Sequence, residues 1–258
     1  MHPMIRRYPS AIFYEGRIQD DESIASRMLC PLLDSMTNVF QRMIFFDLTN
    51  SQESIEETSK TNREEALFSV NLIQHIFHHF AKGEASLIKD RIGIITPYKA
   101  QVRLLKDMLG NWLRSSSNKS TLRVSDIEVN TVDAFQGREK DIILINCVRS
   151  NCSASLKGSL GFLVDERRMN VAITRAKHFL FIVGNSVTLS KNPTWGGLVK
   201  ECSGNRGGLL KFTSNHSYSQ AALQEQFTLS ASGNKRADRE YEAATDDCEG
   251  VASKRVCH

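Results

Sequence analysis

Five short runs of largely apolar residues constrain this chain most: Met43 to Leu48, Arg91 to Thr96 ahead of Pro97, Ile127 to Thr131, Asp141 to Cys147 and His178 to Val183. A strand with one face in water alternates apolar and polar side chains, so runs of this kind predict strands buried on both sides, as in a parallel sheet covered by helices. The intervening segments supply the helices. Arg63 to Phe80 places Ala66, Val70, Ile73, Phe77 and Phe80 at three- and four-residue steps, with Thr61 and Glu64 reading as a capping box at its start. Lys99 to Leu113 repeats the pattern through Val102, Leu105, Met108, Leu109 and Trp112, and a polar loop follows from Ser115 to Ser120. Asp165 to about Ala176 predicts a further helix feeding the last strand. Alternating strands and helices point to an α/β sandwich with a mainly parallel sheet.

After Phe212 the sequence turns to Ser, Asn, Gln, Glu, Asp and Lys with isolated aromatics, too little apolar surface to offset the entropy of ordering. The expected organisation is one domain over residues 1–212 and a disordered polar tail over 213–258. No apolar run is long enough for a membrane span, which predicts a soluble protein. The six cysteines form no C-x-x-C pair, so they suggest neither zinc nor disulfides and fit free thiols in the nucleus or cytoplasm. Lys235-Arg236 and Lys254-Arg255 lean that choice toward the nucleus. A net charge of +4 permits a nucleic-acid partner without requiring one. His75, His78 and His79 read as the polar edge of a helix rather than a metal site, and Gly93 as a close-packing or merely small strand residue.

Two segments carry the chemistry. Between the strands ending at Thr131 and beginning near Asp141 lie an acid (Asp133), an amide (Gln136), a glycine (Gly137), two cations (Arg138, Lys140) and a second acid (Glu139), a set able to hold phosphate and sugar. In the second, Arg168 and Arg175 are seven residues apart, about two helical turns, so they are expected on one helix face with Ala172 between them. Two fixed guanidinium groups suit a polyanion, because each planar fork stays charged and can hold two phosphate oxygens.

These segments, with Gly93 to Gln101 upstream, resemble motifs IV, V and VI of superfamily 1 helicases, and Met1-His2-Pro3, Tyr8-Pro9-Ser10, Phe13-Tyr14 and Gly16 resemble the start of the second RecA-like domain in the branch containing senataxin and the nonsense-mediated-decay RNA helicase. The resemblance covers roughly residues 1–212. It implies a RecA-like fold of P-loop NTPase type and the C-terminal half of an ATP-dependent helicase, moving 5′ to 3′ on RNA or an RNA–DNA hybrid. Arg175 then corresponds to the arginine finger that neutralises charge developing on the γ-phosphate. Gln136, Gly137 and Glu139 fall near the nucleotide, with Arg168 helping to close the cleft. Thr96, Pro97, Tyr98, Gln101, Thr131 and Val132 fall where relatives touch the nucleic-acid backbone, RNA or single-stranded DNA, while Asp133 braces its loop.

The sequence also departs from the family. The tyrosine and arginine expected before Met1 are missing, and there is no G-x-x-x-x-G-K-[ST] stretch or D-E-A-x-Q-type acid pair to hold the β- and γ-phosphates and Mg2+. The chain alone is therefore expected to be inactive, needing an upstream RecA-like domain in cis or in trans. The alternative is a non-catalytic nucleic-acid-binding or regulatory module derived from such a helicase.

Overall fold

The computed structural model describes residues 1–20, 30–115, 122–150, 161–204, 208–212, 223–225 and 227. Its centre is a six-stranded, entirely parallel sheet. In chain order the strands are β1 (Met43–Leu48), β4 (Ile92–Thr96), β5 (Glu128–Thr131), β6 (Lys140–Asn146), β7 (Ala176–Gly184) and β8 (Gly208–Phe212), arranged β5-β4-β6-β7-β1-β8. A separate antiparallel hairpin, β2 (Glu53–Glu56) and β3 (Ser59–Asn62), follows β1.

Helices cover both faces, and successive strand residues serve opposite layers. On one face Ile44, Phe46, Ile142, Leu144 and Phe181 pack with α2 (Pro31–Thr37), α3 (Arg63–His75), the short α4 (Ala85–Ile88) and α5 (Lys99–Ser115). On the other, Phe45, Ile143, Ile145, Leu180 and Ile182 pack with α1 (Pro3–Phe13), α6 (Glu166–Ile173), the short α7 (Ser186–Leu189) and α8 (Pro193–Ser203). Both faces of the central strands are buried, which is why their sequences do not alternate. Trp195 of α8 is 2% exposed and donates its indole N–H to the Leu163 carbonyl at 2.8 Å, fastening α8 to the segment that leads into α6.

Local details depart from the sequence pattern for identifiable reasons. The N-cap of α3 is Asn62 rather than Thr61: its side-chain oxygen accepts from the Glu65 N–H at 3.1 Å, while its amide donates to the Glu65 carboxylate at 3.2 Å and to the Val148 carbonyl at 3.0 Å. After His75 the helix widens into a π-turn, Ile76–Phe80. His75, the last residue of α3 before that turn, is 3% exposed between His79, Phe80 and Phe227, and burial pushes its imidazole down to about 4; it is a core residue, not a polar edge. Leu223 and Phe227 fall within the stretch read as tail, yet both are buried, with Phe227 against Phe40 at 4.7 Å. The rest of 213–258 and the loop 116–121 lie outside the described residues.

The connection from β5 to β6 is short for parallel strands. Residues 132–139 leave the carboxyl edge of the sheet at Thr131 and regain the amino edge at Lys140, so this segment lies across the face of β4. Parallel pairs ordinarily need a crossover of about a dozen residues or more. This one is anchored by a single 3₁₀ turn, Asp133–Phe135, whose Phe135 ring is fully buried over Gly93 of β4. A Cβ on Gly93 would lie 2.6 Å from Phe135 Cζ and 2.9 Å from Ile143 Cδ1, so the glycine is what lets the crossover lie flat. Gly93→Ala is expected to destabilise the fold by about 1–3 kcal/mol through overpacking. Denaturant unfolding checks this, and Phe135→Leu should relieve part of the loss if the ring is the obstacle.

Candidate functional site

At the carboxyl edge of the sheet a groove of about 280 Å³ is walled by four parts of the chain. The hairpin gives Glu57, Thr58 and Ser59, the start of α5 gives Pro97, Tyr98, Lys99 and Arg103, the crossover gives Thr131, Val132 and Asp133, and α6 gives Arg168. Pro97, Tyr98, Thr131 and Val132, expected to meet a nucleic-acid backbone, are thus brought together. Thr96 lies just beneath, fully buried, with no hydrogen-bond partner for its hydroxyl among the described residues. Lys99 and Arg103 were not anticipated, although two cations four residues apart just after Pro97 were a legible signal. The hairpin gave no signal, because Glu53 to Asn62 contains a single large apolar residue, Ile55.

Gln101 is corrected. Expected on the nucleic-acid surface, it is fully buried, and both ends of its amide are engaged. Its oxygen accepts from the Asn62 N–H at 2.8 Å, and its nitrogen donates to the Asn62 carbonyl at 3.0 Å and to Asn146 Oδ1 at 2.6 Å. Asn146, also buried, donates in turn to Ser69 Oγ at 2.7 Å and to the Glu65 carbonyl at 3.2 Å. This hub ties the hairpin, α3, α5 and the end of β6 into one unit under the groove. A second clamp holds the base of the hairpin, where Glu53 accepts from Arg149 at 2.7 Å, from Lys60 at 2.8 Å and from the Ser150 N–H at 3.1 Å. The Ser59 hydroxyl also accepts from the Ala100 N–H at 3.1 Å. Tyr98 meets Arg149 through its phenol, so one groove wall rests on the same clamp.

Just past β6, Val148 has φ +71°, a left-handed conformation that is costly for a β-branched residue. The fully buried Glu65 carboxylate holds it by accepting its N–H at 2.7 Å. Burial pushes the Glu65 carboxyl well above its usual range; the Glu64 and Glu53 charges add to this, and the Val148 and Cys147 N–H groups oppose it.

At the amino edge, Gln136, Gly137, Arg138 and Glu139 are exposed at the end of the crossover, and Gly137 takes φ +78° to make the turn. Arg175 lies beside them. Because α6 ends at Ile173, Arg175 sits in the turn before β7, not on a helix face shared with Arg168. Its guanidinium donates to the Val171 carbonyl at 3.0 Å, to the Arg138 carbonyl at 3.3 Å and to the Thr174 hydroxyl at 3.0 Å. Arg138 itself pairs with Glu128, which also faces Lys140 at 3.3 Å. Arg168, expected to close the nucleotide cleft, belongs to the opposite edge. It lines the groove and makes a two-pronged bond to Asp133 at 3.0 and 3.1 Å, with Asp165 at 3.7 Å.

The family described as AAA domain matches residues 1–187. The chain is 39% identical over 201 residues to a putative regulator of nonsense transcripts 1 from Takifugu rubripes, covering 77% of this chain and 17% of that protein. It is 35% identical over 205 residues to helicase SEN1 of Saccharomyces cerevisiae, covering 78% and 8%. To the 5'-3' DNA helicase ZGRF1 of Mus musculus it is 35% identical over 208 residues, covering 81% and 10%. The chain therefore spans less than a fifth of each of these proteins.

Two outcomes test the buried hub. Gln101→Leu leaves buried groups of Asn62 and Asn146 unpaired and is expected to cost about 3 kcal/mol or more of unfolding free energy. Glu65, whose pKa is raised on folding, contributes stability below its unfolded value and loses it as pH rises through its folded value. The denaturation midpoint of the wild type relative to that of Glu65→Gln should therefore fall across that window, the difference cancelling groups such as His75 that titrate in both.

Proposed function

This chain belongs to the AAA domain family of superfamily 1 helicases, and on that premise we propose that it is the second RecA-like half of an ATP-dependent helicase motor, domain 1–212 of our reading with its core completed by Leu223 and Phe227. In this reading it supplies the arginine finger and one side of the nucleic-acid track. The observation that carries it is the separation of two surfaces by one sheet: a groove at the carboxyl edge, and Arg175 with exposed Gln136, Gly137 and Glu139 at the amino edge. A motor needs both, joined by something that transmits strain.

The amino-edge residues suit a nucleotide held against this face by a second RecA-like domain, in cis or in trans. Three anchoring bonds fix the direction of Arg175 and leave its remaining N–H groups for an incoming oxyanion. Bringing that charge to a γ-phosphate stabilises the negative charge that grows on it in the transition state. Gln136 and the Gly137 amide can hold a phosphate-side water or oxygen, and Glu139 can accept from a ribose hydroxyl. Mg2+, which the resemblance implies, finds no cluster of three or more His, Cys, Asp or Glu side chains among the described residues, and none of these steps runs through it. In the groove, Pro97, Tyr98, Thr131 and Val132 offer backbone and apolar contacts that position a single strand without reading its bases, as stepping along any sequence requires. The relatives' names include a regulator of nonsense transcripts and a 5'-3' DNA helicase, and a 5′-to-3′ direction on RNA or an RNA–DNA hybrid is the reading we favour.

The test is ATP turnover, with and without single-stranded RNA, for the chain alone and joined to a phosphate-loop RecA-like domain of the same family. Activity is expected only in the joined form and should fall about a thousandfold in Arg175→Ala. Turnover that is indifferent to Arg175 would remove the finger from this chain, and inactivity of the joined form would leave a binding module.

A further inference from the structure

Arg168 sits among the groove residues, not among those expected at the nucleotide. Along α6 it occupies the end that starts at the carboxyl edge, whereas Arg175 lies past the other end, beside Arg138. The charged side chains lining the groove are Lys99, Arg103 and Arg168 against Glu57 and Asp133, a balance of one positive charge. The Arg168 fork meets Asp133 with Nε and one terminal nitrogen at 3.0 and 3.1 Å, the geometry in which a guanidinium also holds two oxygens of a phosphate. Both partners face solvent, with side-chain exposures of 34% and 67%, so the pair is not locked into the core and another anion can reach it. Asp133 directly follows Thr131 and Val132, two of the residues read as contacting the nucleic-acid backbone.

We propose that Arg168 is a phosphodiester contact of the groove, held in position by Asp133 as an internal stand-in anion, and that a backbone phosphate entering the groove takes the guanidinium over from that carboxylate. The inference rests on the nucleic-acid reading above and deepens it: it assigns a specific cation to the track and makes Asp133 a competitor of the ligand, beyond a brace of its loop. The exchange costs little. The carboxylate is two-thirds exposed and regains water when released, and an ion pair this exposed contributes little to stability. It also gives the groove a means of reporting occupancy, because Asp133 opens the crossover whose far end adjoins Arg175.

The experiment is a salt titration of binding, using the full chain and a fluorescein-labelled oligouridylate of about 12 nucleotides. Wild type should bind with affinity falling as salt rises. Arg168→Gln should lose about tenfold in affinity at low salt, and the slope of log K against log salt should become shallower by about 0.7, the release of one phosphate contact on a single strand. Arg168→Lys should keep the slope, because it keeps the charge, but recover only part of the affinity, because it lacks the fork. Asp133→Asn should bind a few-fold more tightly, with the wild-type slope. Melting curves guard against misfolding, and Arg168→Lys gives a second reading if Arg168→Gln is unstable. An unchanged slope in Arg168→Gln overturns the proposal while leaving the nucleic-acid reading intact. Weaker binding in Asp133→Asn also overturns it, making the pair a structural brace. Absence of binding by the wild type at low salt overturns both readings.

Discussion

The contact between the Phe135 ring and the bare backbone of Gly93 is the constraint on which the functional geometry depends. Eight residues have to travel from one edge of the sheet to the other between β5 and β6, and they can do so only by lying close against β4. Once they lie there, α6 runs beside them in the same direction. Asp133 meets Arg168 near one end and the Arg138 carbonyl meets Arg175 near the other. Crossover and helix therefore form two struts joining the groove to the amino edge. Both struts rest on the same layer of buried side chains, Val132 and Phe135 from the crossover and Met169 and Ile173 from α6.

The other half of the groove is held by polar groups instead of an apolar wedge. Asn62, Glu65, Gln101 and Asn146 are all buried, and they satisfy one another across four elements. Such a network is costly when incomplete and rigid when complete, since each group has no alternative partner in the interior. Its effect here is to fix a hairpin that has no apolar core of its own. The strained backbone at Val148 belongs to the same arrangement: the Glu65 carboxylate holds it, and the chain leaves it toward Arg149 and Ser150, which return to the hairpin at Glu53.

Much of this was legible in the sequence. Five of the six sheet strands announced themselves as short apolar runs, and the order of those strands and of the helices between them followed; β8 was not among them. Arg175, Gln136, Gly137 and Glu139 emerged from motif resemblance and are neighbours in the fold. What was hidden depended on three-dimensional partners. Periodicity could not say that Gln101 faces inward, because an amide is at home in water or in a satisfied network. A helix reading continued past Ile173 put Arg168 and Arg175 on one face, when the turn at Thr174 and the bonds to Asp133 and Arg138 send them to different ends. The hairpin was invisible because Glu53–Asn62 carries one large apolar residue, whereas the burial of Phe227 had a signal, Leu223 and Phe227 four residues apart beside Ala221 and Ala222, that the polar composition of the rest of the tail outweighed.

The two outer strands of the sheet have a consequence of their own. β5 is four residues long and β8 five, and each is an outer strand of the sheet among the described residues. Glu128 on β5 is held between Arg138 and Lys140, and β8 ends in exposed Lys211 followed by buried Phe212. A foreign strand arriving at either margin would find few backbone groups to bond and charged side chains to strip of water. A sheet that is apolar on both faces is thus kept from growing sideways into an aggregate, and its ends are blunted by brevity and charge.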